Sequence, residues 1–169
     1  LAHITERPEL QPLAVSPMLL TAMCVIYNQG KRLPQDKYEL YDLILDNVLH
    51  NRYANDQKLI ALVRNRLSVV AYGMHTGAGL DEQRSTPQAE ATHSEVDRML
   101  QRYRDQSPGT EPGFQGALEA RDDLLSQSGV LLPRGTDRAG FYHLTFQDFL
   151  AAQRLLDVEG DQLAEVFAL

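Results

Sequence analysis

The sequence predicts a mainly α-helical chain that closes with a short β-hairpin and one more helix. Three observations carry that prediction. Apolar residues recur three or four positions apart in several segments, the spacing that lines one face of a helix. Asp36 with Glu39, and Thr92 with Glu95, have the spacing of a capping box and so mark helix starts. Val130–Leu132 and Phe141–Leu144 are short apolar runs on either side of the polar, glycine-containing stretch Arg134–Gly140, the signature of a hairpin with a long tip.

In chain order, Leu1–Ile4 is a short apolar stub, and Pro8 and Pro12 punctuate the stretch after it. Ser16-Pro17 opens a helix predicted over Pro17 to Asn28, because a proline in the first turn loses no needed N–H, and Gly30 stops it. The next helix comes after Asp36 and buries Tyr38, Tyr41, Ile44, Leu45, Val48 and Leu49. A third helix spans Gln57 to His75, with Leu59, Leu62, Val63, Leu67, Val70, Ala71 and Met74 inward and Gly73, Gly77 and Gly79 at its end. Asp81–Ala91 reads as a partly mobile polar loop. Thr92 caps a helix carrying Val96, Met99, Leu100 and Tyr103, and the Pro-Gly breaks up to Gly113 lead to a helix over Phe114 to Gln127. After the hairpin, Thr145 starts the last helix, with Asp148 three residues on and Phe146, Phe149 and Leu150 inward. Helices followed by a two-stranded hairpin are the order of a winged helix, the hairpin being the wing. The expected domains are a helical-domain remnant at 1–33, a winged helix at 34–156 and the start of a further helical segment at 157–169.

Length and composition set limits. The 169 residues, 43% hydrophobic and 23% charged, suffice for one core or two small modules and are not those of a disordered tail. A net charge of −7 argues against a general nucleic-acid binder. Cys24 is the single cysteine, which excludes an internal disulfide and favours a reducing compartment; within the apolar run Met18–Tyr27 it reads as a buried thiol. That run is about half the length of a membrane span. The chain opens at Leu1 as if inside a helix, so it is expected to be an excised piece.

Chemistry-bearing motifs are few. No Gly-x-x-x-x-Gly-Lys-Ser/Thr phosphate loop occurs; Gly30-Lys31 lacks the upstream glycine and the following hydroxyl. Leu43-Ile44-Leu45-Asp46 looks like a magnesium-binding strand end but sits within a helical pattern. His3, His50, His75, His93 and His143 are too scattered for metal-ligand spacing. His143 falls on the second strand of the hairpin just before a helix N-terminus, where a ring N–H and the helix's own N–H groups can meet an anion.

Several segments resemble, in order, those of NACHT-type signalling ATPases of the STAND class. His143-Leu144-Thr145-Phe146-Gln147-Asp148-Phe149-Leu150-Ala151-Ala152, with Phe141 two residues earlier, is similar to the segment that ends the family's winged helix. Ser16-Pro17-Met18-Leu19-Leu20 resembles the proline segment of the first helical domain. Leu33-Pro34 with Glu39-Leu40-Tyr41, and Gly129-Val130-Leu131, resemble the opening of the winged helix and the approach to the wing. Asp148 stands where Glu is common and Ser16 where Asn is, and Asp81–Ala91 has no counterpart.

The resemblance implies an NLR-like, cytoplasmic regulator of signal transduction in host defence and innate immunity. It implies that ADP, or ATP with Mg, is clamped between a P-loop core and these modules, His143 contacting the β-phosphate and Pro17 packing on the adenine. This chain lacks the core, so it is expected to be no enzyme by itself and to hold no cofactor or metal. Implied partners are the core and sensor of the same chain and further copies on activation, with neither nucleic acid nor membrane. Two alternatives stand beside this reading. One is a DNA-binding winged helix reading bases with Phe114–Gln127, although that segment carries Glu119, Asp122 and Asp123 against Arg121, and wing residues Arg134 and Arg138 flank Asp137. The other is a plain helical interaction module.

Overall fold

A computed structural model describes residues 15–30, 32–109, 111 and 116–167, together with Pro8 and Gln11, and side chains through Gly160. The stub Leu1–Ile4, Pro12, Lys31, Pro112, Gly113 and the expected helix start at Phe114 lie outside the described residues. Six α-helices and three short strands occur among those described. They are α1 (Pro17–Asn28), α2 (Lys37–Arg52), α3 (Gln57–Thr76), β1 (Ala91–Thr92), α4 (His93–Gln106), α5 (Ala117–Gln127), β2 (Leu131–Arg134), β3 (Arg138–Phe141) and α6 (Leu144–Phe167). The protein is thus mainly helical, with one small antiparallel sheet of order β1-β3-β2. The chain divides into two compact units, Leu1–Asn47 and Val48–Leu169.

In the first unit, α1 starts at Pro17 with Ser16 as its cap residue, and Gly30 comes after it at φ 72°. Its inward positions are Leu19, Met23 and Ile26, a single 3–4 spacing. Cys24 is exposed, contrary to the expected buried thiol. The run Met18–Tyr27 is apolar nearly all round, so composition alone did not show that Cys24 falls on the outward side. Before α2, Asp36 Oδ1 accepts the backbone N–H groups of Tyr38 (2.8 Å) and Glu39 (2.9 Å), the cap expected of it. Glu39 does not return the bond to Asp36; its carboxylate accepts from Gln35 N and pairs with Arg32 at 3.1 Å. Leu40, Tyr41 and Leu45 are the buried apolar positions of α2 in this unit, with Leu49 buried in the part of α2 that belongs to the second; of the other expected positions Ile44 and Val48 are half-buried and Tyr38 is exposed.

In the second unit, α3 packs chiefly on α6 and α4 on α5. Asp56 caps α3 through Lys58 N and Leu59 N, both at 3.1 Å, and Gly77 closes it in the left-handed conformation at φ 81°. Val63, Leu67, Val70, Ala71 and Met74 are buried as expected, but Ile60, not Leu59, faces inward in the first turn. Gly73 is no helix end. It lies within α3 where a Cβ would come 2.6 Å from Met99 Sδ of α4, so glycine there sets the close approach of the two helices.

Two expectations about the sheet are corrected. A third strand, β1, pairs with β3 through Ala91–Ala139 and Thr92–Arg138. The hairpin tip is also tighter than expected. Arg134 pairs with Arg138, so only Gly135–Asp137 form the turn, and Gly135 takes φ 69°. At the corner from α5 into β2, buried Ser128 donates to Leu124 O (2.6 Å) while its Oγ accepts from Val130 N and Leu131 N at 3.2 Å. α6 then runs unbroken from Leu144 past residue 156 to Phe167.

Candidate functional site

The earlier end of β3 changes the position of His143. The strand stops at Phe141, Tyr142 N still donates to Val130 O at 2.8 Å, and His143 stands in the bend before α6 rather than on a wing strand. Thr145 does not start the helix; His143 occupies the cap position. Its Nδ1 accepts the Thr145 backbone N–H at 3.3 Å and lies 2.8 Å from Thr145 Oγ1, and its carbonyl accepts from Phe146 N at 3.0 Å. An imidazole does here what Ser or Asp usually does, accepting an orphan N–H of the first turn. Because Nδ1 accepts, the neutral ring carries its proton on Nε2. The ring is exposed, so that N–H is offered outward at the positive end of a long helix.

The rest of the first turn is anchored inward. Phe146, Phe149 and Leu150 are buried, as expected. Gln147 is 1% exposed; its Nε2 donates to Gln88 O at 2.8 Å, and its Oε1 has no hydrogen-bond partner among the described residues. Asp148 takes no part in a capping box. Its Oδ1 lies 3.2 Å from His75 Nε2 in the last turn of α3, without the alignment of a hydrogen bond. Tyr142 and Leu144, flanking His143, are both exposed. Pro17, the other residue expected to meet a nucleotide, is exposed in the first turn of α1 and belongs to the first unit, whereas His143 belongs to the second.

The groups the DNA-binding alternative would use are engaged elsewhere. Arg121, the cation of α5, bonds Asp97 of α4 at 2.6 Å and Asp122 at 3.0 Å. Asp97 is nonetheless held above the usual carboxylate range: burial raises it most and Asp122 adds to that, against the opposing pull of Arg121 and His93. The geometry accounts for this, since only one of its oxygens meets Arg121 and Oδ1 is buried with no partner among the described residues. Asp123 accepts from Tyr53 Oη at 3.2 Å, and burial together with that carboxylate pushes the Tyr53 hydroxyl well above its ordinary range. Glu119 and Asp122 make up the exposed charge of α5. On the hairpin, Arg134 donates to Phe141 O at 3.0 Å and Arg138 pairs with Glu90 at 3.4 Å.

Among the described residues no group of three or more His, Cys, Asp and Glu could hold a metal ion, and no helix is long and apolar enough to cross a membrane. No family model, curated protein or solved structure matches this chain.

Proposed function

We propose that this chain is the nucleotide-state-sensing part of a NACHT-type STAND signalling ATPase, a helical segment and winged helix that report to a P-loop core whether ADP is bound. The single observation that carries the reading is the state of His143. Its Nδ1 is occupied within its own turn, which leaves Nε2–H as an outward donor at the start of a 24-residue helix. Such a donor suits the terminal, doubly charged β-phosphate of ADP, and a γ-phosphate would change both the charge and the room at that point.

The winged-helix part of the reading is supported by connectivity. Three helices, α3, α4 and α5, precede a hairpin, and β1 between the first two edges the hairpin's second strand. That edge ties the helical trio to the wing and leaves β3 paired on both sides. On this reading Pro17 packs on the adenine, the core supplies the phosphate loop and the magnesium site, and the protein works in the cytoplasm. Copies assemble once ATP replaces ADP.

The reading is tested by the reading frame that encodes the chain. A Gly-x-x-x-x-Gly-Lys-Ser/Thr loop within a few hundred residues before Leu1 is expected, and a frame without one overturns the proposal.

A further inference from the structure

We propose that Gln147 is a positioning residue for His143, and that it works by clamping the first turn of α6 to the strap at residues 77–90. Gln147 lies four residues after His143, in the first turn of the helix that His143 caps. Its amide donates to Gln88 O at 2.8 Å, and Gln88 lies in the strap between α3 and β1. The strap is itself pinned from both ends. Arg84 N donates to Thr76 O and Gln88 N to Met74 O, both at 2.9 Å, which bind it to the last turn of α3. The Arg84 guanidinium pairs with Glu95 of α4, and Ala91 pairs with Ala139 of β3. Close packing leaves it no slack: a Cβ on Gly77 would come 2.1 Å from Glu82 O, and one on Gly140 3.0 Å from Ala89 O.

Most of the strap belongs to Asp81–Ala91, which the sequence presents as a partly mobile loop, yet it joins α3, α4, the sheet and α6. Gln147 is its connection to the turn that His143 caps. Its chemistry is not that of a residue placed for packing. The side chain is 1% exposed, yet Oε1 finds no partner among the described residues, so part of the benefit of the Gln88 bond is offset by a desolvated acceptor. An apolar side chain of the same shape would fill the space without the unpaired Oε1, at the cost of leaving Gln88 O without this donor. What the amide adds is direction, because it fixes the rotation of the first turn and therefore the direction of the His143 ring. The inference rests on the nucleotide-sensing reading only for its purpose, that His143 is the group worth holding.

The test uses this chain with its histidines labelled in nitrogen-15 and needs no nucleotide, so its failure and that of the ADP reading are distinct. In the wild type, His143 should show one dominant tautomer with the proton on Nε2. In Gln147→Met the two ring nitrogens should move toward averaged values. Amide exchange at Thr145 and Phe146 should rise about fivefold to tenfold, the factor that one lost hydrogen bond supplies. Arg84→Met, which frees the strap from α4 without touching α6, should move the same His143 signals in the same direction. A residue that merely packs would not transmit that change, and this second variant decides the matter if Gln147→Met fails to fold. Unchanged ring signals in a folded Gln147→Met, or a wild-type α6 turn in Arg84→Met, overturn the proposal.

Discussion

His143 Nδ1 and Thr145 Oγ1 lie 2.8 Å apart, and the same nitrogen accepts the Thr145 backbone N–H at 3.3 Å. The histidine is therefore both the cap of α6 and, through its other nitrogen, the group turned to solvent. The two roles can be separated by substitution. Serine is a good cap without an imidazole's reach, so His143→Ser should leave thermal stability nearly unchanged, whereas His143→Ala should lose about 1 kcal/mol. Chemical denaturation of both variants checks this. Equal losses would mean that the ring does not serve as the cap.

Phe146 comes just after the cap and is 6% exposed in the core beneath α6. Phe146→Ala should cost about 3–5 kcal/mol as a large-to-small core change. A urea midpoint barely different from the wild type would place Phe146 outside the core.

Arg66 of α3 and Glu111 form a bidentate pair at 3.0–3.2 Å, with side chains 11% and 2% exposed. Glu111→Ala takes the carboxylate of this buried pair away from the Arg66 guanidinium and should cost about 3–5 kcal/mol. The double variant Arg66→Met with Glu111→Leu should recover most of that, since it removes both charges from the interior. A double variant no more stable than Glu111→Ala would show that the site needs the pair itself.

Stability in acid should depend on Glu95. Burial alone would raise its carboxyl, but the two hydrogen bonds with Thr92 and the nearby Arg84 and Arg98 outweigh it and hold the group below its ordinary value. A depressed carboxyl adds stability that is complete above its unfolded pKa, about 4.3, and is lost as pH falls through the lower folded value. Between about pH 6 and pH 3, Glu95→Gln should therefore lose less stability on acidification than the wild type. Asp97 has the opposite sign: with its folded pKa raised by burial, it gains protons in the folded state first and partly offsets that loss. Asp97→Asn should accordingly show a steeper loss. Melting curves across this range decide both, and parallel curves for all three proteins would remove these carboxylates from the account.

The features legible in the sequence are those written in local chemistry. Thr92 with Glu95 forms the full reciprocal cap, Gly77 ends α3, and Pro17 begins α1, each within a few residues of its signal. The inward face of α3 from Val63 to Met74 is set by the helical period alone. What escaped depends on distant partners. β1 is two residues long and exists because β3 offers an edge, and the strap looks like a loop because its ties run to backbone carbonyls of α3 and to Gln147. At the site, the motif singled out His143 but not its cap role, since the tighter hairpin ends β3 sooner than the apolar run Phe141–Leu144 suggests. Gln147 sat within that motif, and only its burial marks it out.

On the proposed reading, this chain alone brings a nucleotide no phosphate loop, only His143 and Pro17. It should hold ADP no more tightly than about 1 mM, as read by calorimetry. Tighter binding would point to a complete site within these residues.

On the proposed function, His143 ties this chain to ADP in a protein that also carries the phosphate-binding core. One charge-assisted hydrogen bond contributes about 1.5–3 kcal/mol, so its loss should shift ADP retention about 10- to 150-fold. The most direct measurement is the rate of ADP release from that longer protein, wild type against His143→Ser, with circular dichroism showing both folded. Release faster by that factor in the variant is the expected result. Equal rates from two folded proteins would leave His143 as a helix cap and nothing more.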